Sequence, residues 1–431
     1  MSKDKKDYKE FKNRRDRLAP LIDDSVAIIV NSKESIRNKD CHYPFRSDSA
    51  FHYLSGFPEP ETVVMIFGGK NPKSIIFCQP KDELKEVWNG FIYGPKQASK
   101  EFLFEEAYPL NDAHKLIPKF LKSKCVFLLP SSKIDNILSP KWFEENNKLR
   151  EDLSEILDDM RVVKNDFEVN LMRKSADIAA NAHIHAMKLT RPHKYEYEIE
   201  GEILNQFFKG GARNPAYSSI VASGANGCTL HYVENDSQMK DGDLLLIDAG
   251  CEVGSYASDI TRTFPVNGKF SSAQKEVYQL VLFAQKAAIE KVKAENFFDD
   301  PHKEALKIII NGLIDLDILV GSIDEVYEKE LYKEFFMHRT SHWLGLDVHD
   351  VGKYSSKNNP SVAVKFTEGN VLTIEPGCYI RPSDNVPKEF WGIGVRVEDD
   401  VLVTADGHDV LSKNAPKEIH ELEAIIGTSS A

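Results

Sequence analysis

The chain has 431 residues, enough for two to three domains on length alone. Apolar residues make up 42% and charged residues 28%, as expected of a soluble globular protein. The net charge of -12 argues against a general nucleic-acid binder, which would carry a basic face, and suits small or peptide ligands.

The most apolar stretch, Ile308 to Val320, is interrupted by Asn311, Asp315 and Asp317, short of the roughly 18 apolar residues that a membrane span needs. The charged N-terminus has no apolar segment behind it and does not read as a secretory signal. Six scattered cysteines without CxxC spacing read as reduced thiols, neither a disulfide frame nor a zinc ribbon. The expectation is a cytoplasmic protein with no membrane and no nucleic-acid partner.

In chain order, Tyr8 to Leu21 predicts a helix and Ser25 to Val30 a buried strand by its β-branched run. The aromatic, turn-rich passage YPFRSDSAFHYLSGFPEPE follows. Thr62 to Phe67 and Ser74 to Phe77 predict a hairpin through GGKNPK. A helix is expected around Ala113 to Leu121, a strand at Cys125 to Leu129, and a helix from Trp142 to Leu157. This alternation makes an α/β domain over residues 1–163, ahead of a larger α+β domain over 164–431. Asn165 with Glu168 forms a capping-box pattern before a helix at Phe167 to Leu189, and a second helix, Tyr197 to Lys209, stops at Gly210-Gly211. Strands at Asp243 to Gly250 and Ser258 to Phe264 should pair. Helices at Ser271 to Ala294 and Pro301 to Gly312 follow, then strands at Asn370 to Ile374 and Gly392 to Asp399. Helix pair, acid-bearing strands, helix pair, acid-bearing strands is a crude internal repeat with room for a site between its halves.

The stretch FMHRTSHWLGLDVHDVG holds His338, His342 and His349. Asp248 lies in LLLIDAG, Asp259 in SDITRTF, Glu375 in LTIEPG and Glu398 in GVRVEDD. Side chains alternate across a strand, so a hairpin can set Asp248 and Asp259 on one surface, and Arg396 shares a face with Glu398. Singly, each acid reads as a solvated or salt-bridged strand end. Together with His342 they offer one nitrogen and four anionic oxygen donors, a set suited to Mn²⁺, Co²⁺ or Fe²⁺, with Zn²⁺ also accommodated. Two such ions carry the four positive charges that four carboxylates balance, and an ion pair roughly 3.5–4 Å apart can activate water and polarise a carbonyl.

HYVEN with His231, IDAG…SDITRTFPVNGKF, SHWLGLDVHDVG, LTIEPG followed by Tyr379, and GIGVRVEDD closely resemble the Xaa-Pro aminopeptidases, or aminopeptidase P, of the M24 pita-bread metallopeptidases. They cover about Ile220 to Asp400, and YPFRSDSAFHYLSGFPEPE resembles the N-terminal domain of that subfamily. The resemblance implies a C-terminal pita-bread domain and hydrolysis of the N-terminal Xaa-Pro bond by a hydroxide held between two ions, most readily Mn²⁺. It implies Asp248, Asp259, His342, Glu375 and Glu398 as metal ligands, with Asp259 and Glu398 bridging. It implies His231 and His349 as catalytic hydrogen-bonding groups and Glu375 also as proton shuttle. His338, Tyr379 and Arg396 correspond to the wall of a proline pocket. The subfamily's W-x-G-R-R pattern is altered here: Trp88 is followed by Asn89, Gly90, Phe91 and Ile92. Trp88 is kept as a substrate-binding residue, with a core role as its alternative, and the family's dimers or tetramers make a homo-oligomer the expectation. The nearest rival is a prolidase restricted to Xaa-Pro dipeptides; a non-catalytic peptide-binding scaffold is the rival of a different class.

Overall fold

The computed structural model describes residues 5–122, 125–130 and 133–428. It divides into two compact units, Met1–Met160 and Arg161–Ala431.

In the first unit the strand Val26–Val30 is apolar on both faces, the pattern of an interior strand. It runs antiparallel to Val63–Phe67 and parallel to Cys125–Leu128. The sheet has six strands in the order Glu106–Pro109, Lys73–Cys78, Val63–Phe67, Val26–Val30, Cys125–Leu128, Leu149–Asp152. The expected hairpin is present, with Val63 opposite Phe77 and Phe67 opposite Lys73. Ile28, Met65, Ile75, Phe77, Ile117 and Val126 form the core of this unit.

The helix expected from Trp142 to Leu157 is instead two helices, Pro140–Glu145 and Ser154–Arg161, separated by the edge strand Leu149–Asp152. Asn146 closes the first turn through its side chain to Trp142 O, and Asn147 takes a left-handed φ of 51°. The next residues then gain backbone partners by pairing in parallel with Cys125–Leu128.

The helix Lys5–Leu18 buries Arg14 and Arg15. The Arg15 guanidinium donates to Leu54 O, Phe102 O and Leu103 O, each at 2.9 Å, and to Ser74 Oγ at 3.1 Å. Phe102 and Leu103 end the helix Gly94–Phe102, so this cation satisfies carbonyls that the helix terminus leaves without partners. Burial draws the guanidinium down to about 10, against the pull of Glu105, so it stays charged at neutral pH.

The second unit is built from two similar halves. Asn165 and Glu168 exchange capping hydrogen bonds at 3.1 Å and open the helix Asp166–Leu189, which packs with Glu196–Gly210. The accompanying antiparallel sheet has the order Thr261–Pro265, Leu244–Asp248, Ile220–Ser223. In the other half the helices Ser272–Ile289 and Asp300–Asp315 accompany Val371–Ile374, Asp399–Thr404 and Gly407–Val410. One continuous core joins residues of both halves, among them Ala182, Leu245, Val281, Ile309, Leu372 and Val401.

The single strand expected at Gly392 to Asp399 is two. Ile393–Arg396 pairs with Gly377–Ile380, and Asp399–Thr404 pairs with Val371–Ile374. Between them the Glu398 amide donates to Thr261 O at 3.1 Å, so the chain changes partners at the acid. Among the described residues no helix is long and apolar enough to cross a membrane.

Arg15→Met removes the cation and leaves its acceptors buried without a donor. It should destabilise the chain by about 3 kcal/mol in urea denaturation while metal affinity stays unchanged; an unaltered midpoint would show that Arg15 is dispensable.

Candidate metal centre

Leu244–Asp248 carries four buried apolar residues up to Asp248 at its open end. Asp248 stands opposite Thr261 in the ladder, and Asp259 lies two residues earlier in the approach to the Thr261–Pro265 strand. The two acids are joined by the Tyr217 hydroxyl, 2.6 Å from Asp248 Oδ1 and 2.5 Å from Asp259 Oδ1. His342 Nε2 is 3.4 Å from Asp259 Oδ2 and 3.5 Å from Glu375 Oε1. His342 Nδ1 lies 3.0 Å from Trp343 O. A carbonyl only accepts, so this contact assigns a proton to Nδ1 and turns Nε2 toward the acids. Thr373 Oγ1 receives the His342 amide at 3.1 Å and donates to Glu375 Oε1 at 3.3 Å. Glu398 Oε2 accepts from Thr261 Oγ1 at 2.5 Å.

Donor atoms of Asp259, His342 and Glu398 all lie within 4.8 Å of one another. Arg396 Nη2 donates to Asp248 Oδ2 at 2.6 Å. Burial, reinforced by neighbouring carboxylates, raises Asp248 and drives Glu398 well above the carboxylate range. Burial raises Glu375 to about 7 against His342 and Arg396. Burial opposes the charged form of His342, but the hydrogen bond it donates to Asp259 and the charge of Glu375 lift it to about 9. Four crowded acids outnumber the cations Arg396 and His342, and the excess of negative charge is one that protons or divalent cations can relieve. The donor set therefore fits hard or borderline divalent cations.

A hydrogen-bonded chain flanks this centre. Arg396 Nη1 donates to Tyr379 Oη at 2.9 Å, and the Tyr379 hydroxyl lies 2.8 Å from His338 Nε2. His338 Nδ1 is 2.7 Å from Arg339 O, which assigns the proton to Nδ1 and leaves Nε2 to accept from Tyr379. Burial and the Arg396 charge lower His338 to about 3, so it is neutral at physiological pH.

The profile described as metallopeptidase family M24 matches residues 170–405, more than half of the chain. The chain belongs to this family. The aminopeptidase P N-terminal domain matches residues 11–127 of the same M24 chain. A Xaa-Pro aminopeptidase of Haemophilus influenzae is 43% identical over 422 residues, covering 97% of each chain. Proline aminopeptidase P II from Yersinia pestis superposes with a TM-score of 0.93 at 38% identity, covering 98% of this chain and all of that one. Aminopeptidase P from Escherichia coli, solved with the inhibitor Pro-Leu, gives 0.93 at 37% identity, covering 97% and 98%. The M24 chain is thus a metal-dependent aminopeptidase of the aminopeptidase P type, with the pita-bread fold in its C-terminal unit.

The remaining expected residues fall in two places. His349 is exposed, with its ring 4.3 Å from that of His342 in a T-shaped contact. His231 is also exposed and lies near His338 and His349. Trp88 belongs to the first unit, on the short helix Glu83–Asn89, and is 86% exposed, which excludes its core role.

Sequence reasoning missed three groups. Tyr217 sits in NPAYSS, a turn with no periodic signal. Its phenol is pushed well above the usual range by burial and by Asp248, Asp259 and Glu398, so it remains a donor. Asp400 offers both carboxylate oxygens to the Asp259 amide, each at 3.2 Å. Thr261 receives Arg396 Nε at 3.1 Å while donating to Glu398.

Tyr217→Phe should weaken divalent-ion affinity about tenfold or more, as loss of a group orienting a ligand does, with little change in stoichiometry; unchanged affinity by calorimetry would remove Tyr217 from the centre. Raising the pH should strengthen binding. Glu375 near 7 and His342 near 9 must release protons before they can ligate, so affinity should rise at least about tenfold from pH 6 to pH 8, with measurable proton release. A pH-independent affinity would contradict this.

Proposed function

We propose that this chain releases the first residue of peptides with proline at the second position, using two divalent ions held by Asp248, Asp259, His342, Glu375 and Glu398. The observation that carries the reading is the cluster of Asp259, His342 and Glu398 donors within 4.8 Å, flanked by the His338–Tyr379–Arg396 chain. Mn²⁺ is the first choice for this donor set, which also suits Co²⁺, Fe²⁺ or Zn²⁺. When bound, the ions supply Lewis-acid polarisation of the scissile carbonyl and lower the pKa of water.

The bond to proline is a tertiary amide with no N–H and a ring-fixed φ, so a site that recognises it cannot rely on that donor. Neutral His338, tied to Tyr379, gives an aromatic, uncharged wall for the ring. Arg396 holds both Tyr379 Oη and Asp248 Oδ2, and so keeps the proline wall and the cation site in register. Asp248 receives the free α-amino group of the substrate. His231 and His349 present ring N–H groups to the carbonyl oxygen as negative charge develops, a contribution of about 3 kcal/mol per donor where such a group is well aimed. Glu375, whose carboxylate lies beside His342 and Thr373, moves a proton from the attacking water to the departing proline nitrogen.

The exposed Trp88 supports a substrate-facing or subunit-facing role, consistent with a dimer or tetramer. The free cysteines, of which Cys41 is exposed, support a cytoplasmic setting.

Protein stripped of metal and reloaded with Mn²⁺ should release the first residue from Xaa-Pro-Xaa tripeptides and do so poorly when alanine replaces proline. Cleavage of Xaa-Pro dipeptides alone would move the assignment to a prolidase. No cleavage with any of the four ions would leave a peptide-binding scaffold.

A further inference from the structure

His349 has no hydrogen-bond partner among the described residues, so its ring is placed by its backbone and by its contact with His342. That backbone belongs to a tightly closed loop. The Asp350 amide donates to Trp343 O at 3.0 Å, Gly345 N to Asp347 O at 3.1 Å, and Trp343 Nε1 to Lys353 O at 3.2 Å. Inside the loop lies the Asp350 carboxylate, its side chain 1% exposed. Oδ1 accepts from Arg161 Nη2 at 2.6 Å and from the Asp347 amide at 3.4 Å, and Oδ2 from Lys164 Nζ at 3.0 Å. Arg161 Nη2 also reaches Asp347 Oδ2 at 2.8 Å. The loop has no spare room around this cluster. A Cβ on Gly345 would lie 2.1 Å from Asp350 Oδ2 and 2.9 Å from Lys164 Cε.

The cations come from a segment that is itself pinned within the second unit. The Lys164 amide donates to Gly369 O at 2.8 Å, and Asn370 Nδ2 donates to Val162 O at 3.0 Å. Burial would raise Asp350, but Lys164 and Arg161 hold it below the usual carboxylate range, so it remains an anion. A buried anion between two anchored cations is a stiff fixed point, one residue from a side chain that no hydrogen bond holds among the described residues.

We propose that the Arg161–Lys164–Asp350 cluster is a positioning device for His349, aiming its ring at the substrate carbonyl. This rests on the role given to His349 above. Misplacing a catalytic group by about 1 Å can cost roughly 100-fold in rate, so a fixed point of this kind has a function beyond stability.

The test is a double-mutant cycle on the Mn²⁺-loaded full chain with Asp350→Asn, His349→Ala and the double variant. Asp350→Asn keeps the shape and removes the charge. It should lower kcat on an Xaa-Pro-Xaa tripeptide by about 10–100-fold, leave KM within about twofold, and retain two ions per chain. In the His349→Ala background it should cost less than about twofold more, because both changes remove the same interaction. In metal-free protein carrying ¹³C-labelled histidine rings, the His349 resonance, identified by its loss in His349→Ala, should shift or broaden in Asp350→Asn. Losses that multiply in the double variant, or an unmoved resonance, would overturn the positioning role while leaving His349 itself in place. Full activity of His349→Ala would instead overturn the role of His349, and this proposal with it. If Asp350→Asn does not fold, Lys164→Met, which leaves Arg161 on Asp350, goes through the same cycle under the same criteria.

Discussion

Four carboxylates crowded into a largely buried space, with Arg396 and His342 as the cations among them, set the terms for the rest of the second unit. Isolated in water these acids would repel each other weakly. Buried together, Asp248, Glu375 and Glu398 are raised in proton affinity, while His342 holds Asp259 down. Such a cluster is stable only when protons or cations fill it. Fold stability and metal uptake are therefore linked through the same side chains.

The surroundings leave little freedom to those acids. Tyr217, Thr261, Thr373 and the Asp259 amide on Asp400 each fix a carboxylate or the histidine next to it. Carbonyls choose the histidine tautomers: Trp343 O for His342 and Arg339 O for His338. The result is a site whose donors are oriented before any ligand arrives, which is the arrangement that hydrolysis of a stable amide requires. The pseudo-repeat explains its location. Each half supplies a short sheet whose strand ends carry acids, and the continuous core holds the two halves together.

The strongest periodic segments were readable in advance. The capping box at Asn165 and Glu168, the paired strands around Asp248 and Thr261, and the hairpin at Val63 to Phe77 all follow from local patterns. Two assignments did not hold. The segment after Trp142 became two helices and an edge strand because Leu149–Asp152 found partners in Cys125–Leu128, a contact invisible to a window of neighbours. The run ending in Glu398 split because its amide found Thr261 O across the unit.

The residue types of the site belong to the sequence itself: acids at the ends of apolar strands and histidines among glycines carry metal chemistry whatever their order. What the tertiary structure decided is which member of each group does what. In the run Glu398-Asp399-Asp400, spacing cannot rank the acids. The fold gives Asp399 to Arg262, Lys417, Gln285 and Ser412, turns Asp400 onto the Asp259 amide, and leaves Glu398 among the donors. Tyr217 is the same case in reverse, an unremarkable turn residue that matters only because the chain brings it between two acids. The physical reason is common to both. A charged side chain is defined by its partners, and in this chain those partners can lie more than 130 residues away, beyond the reach of any local pattern.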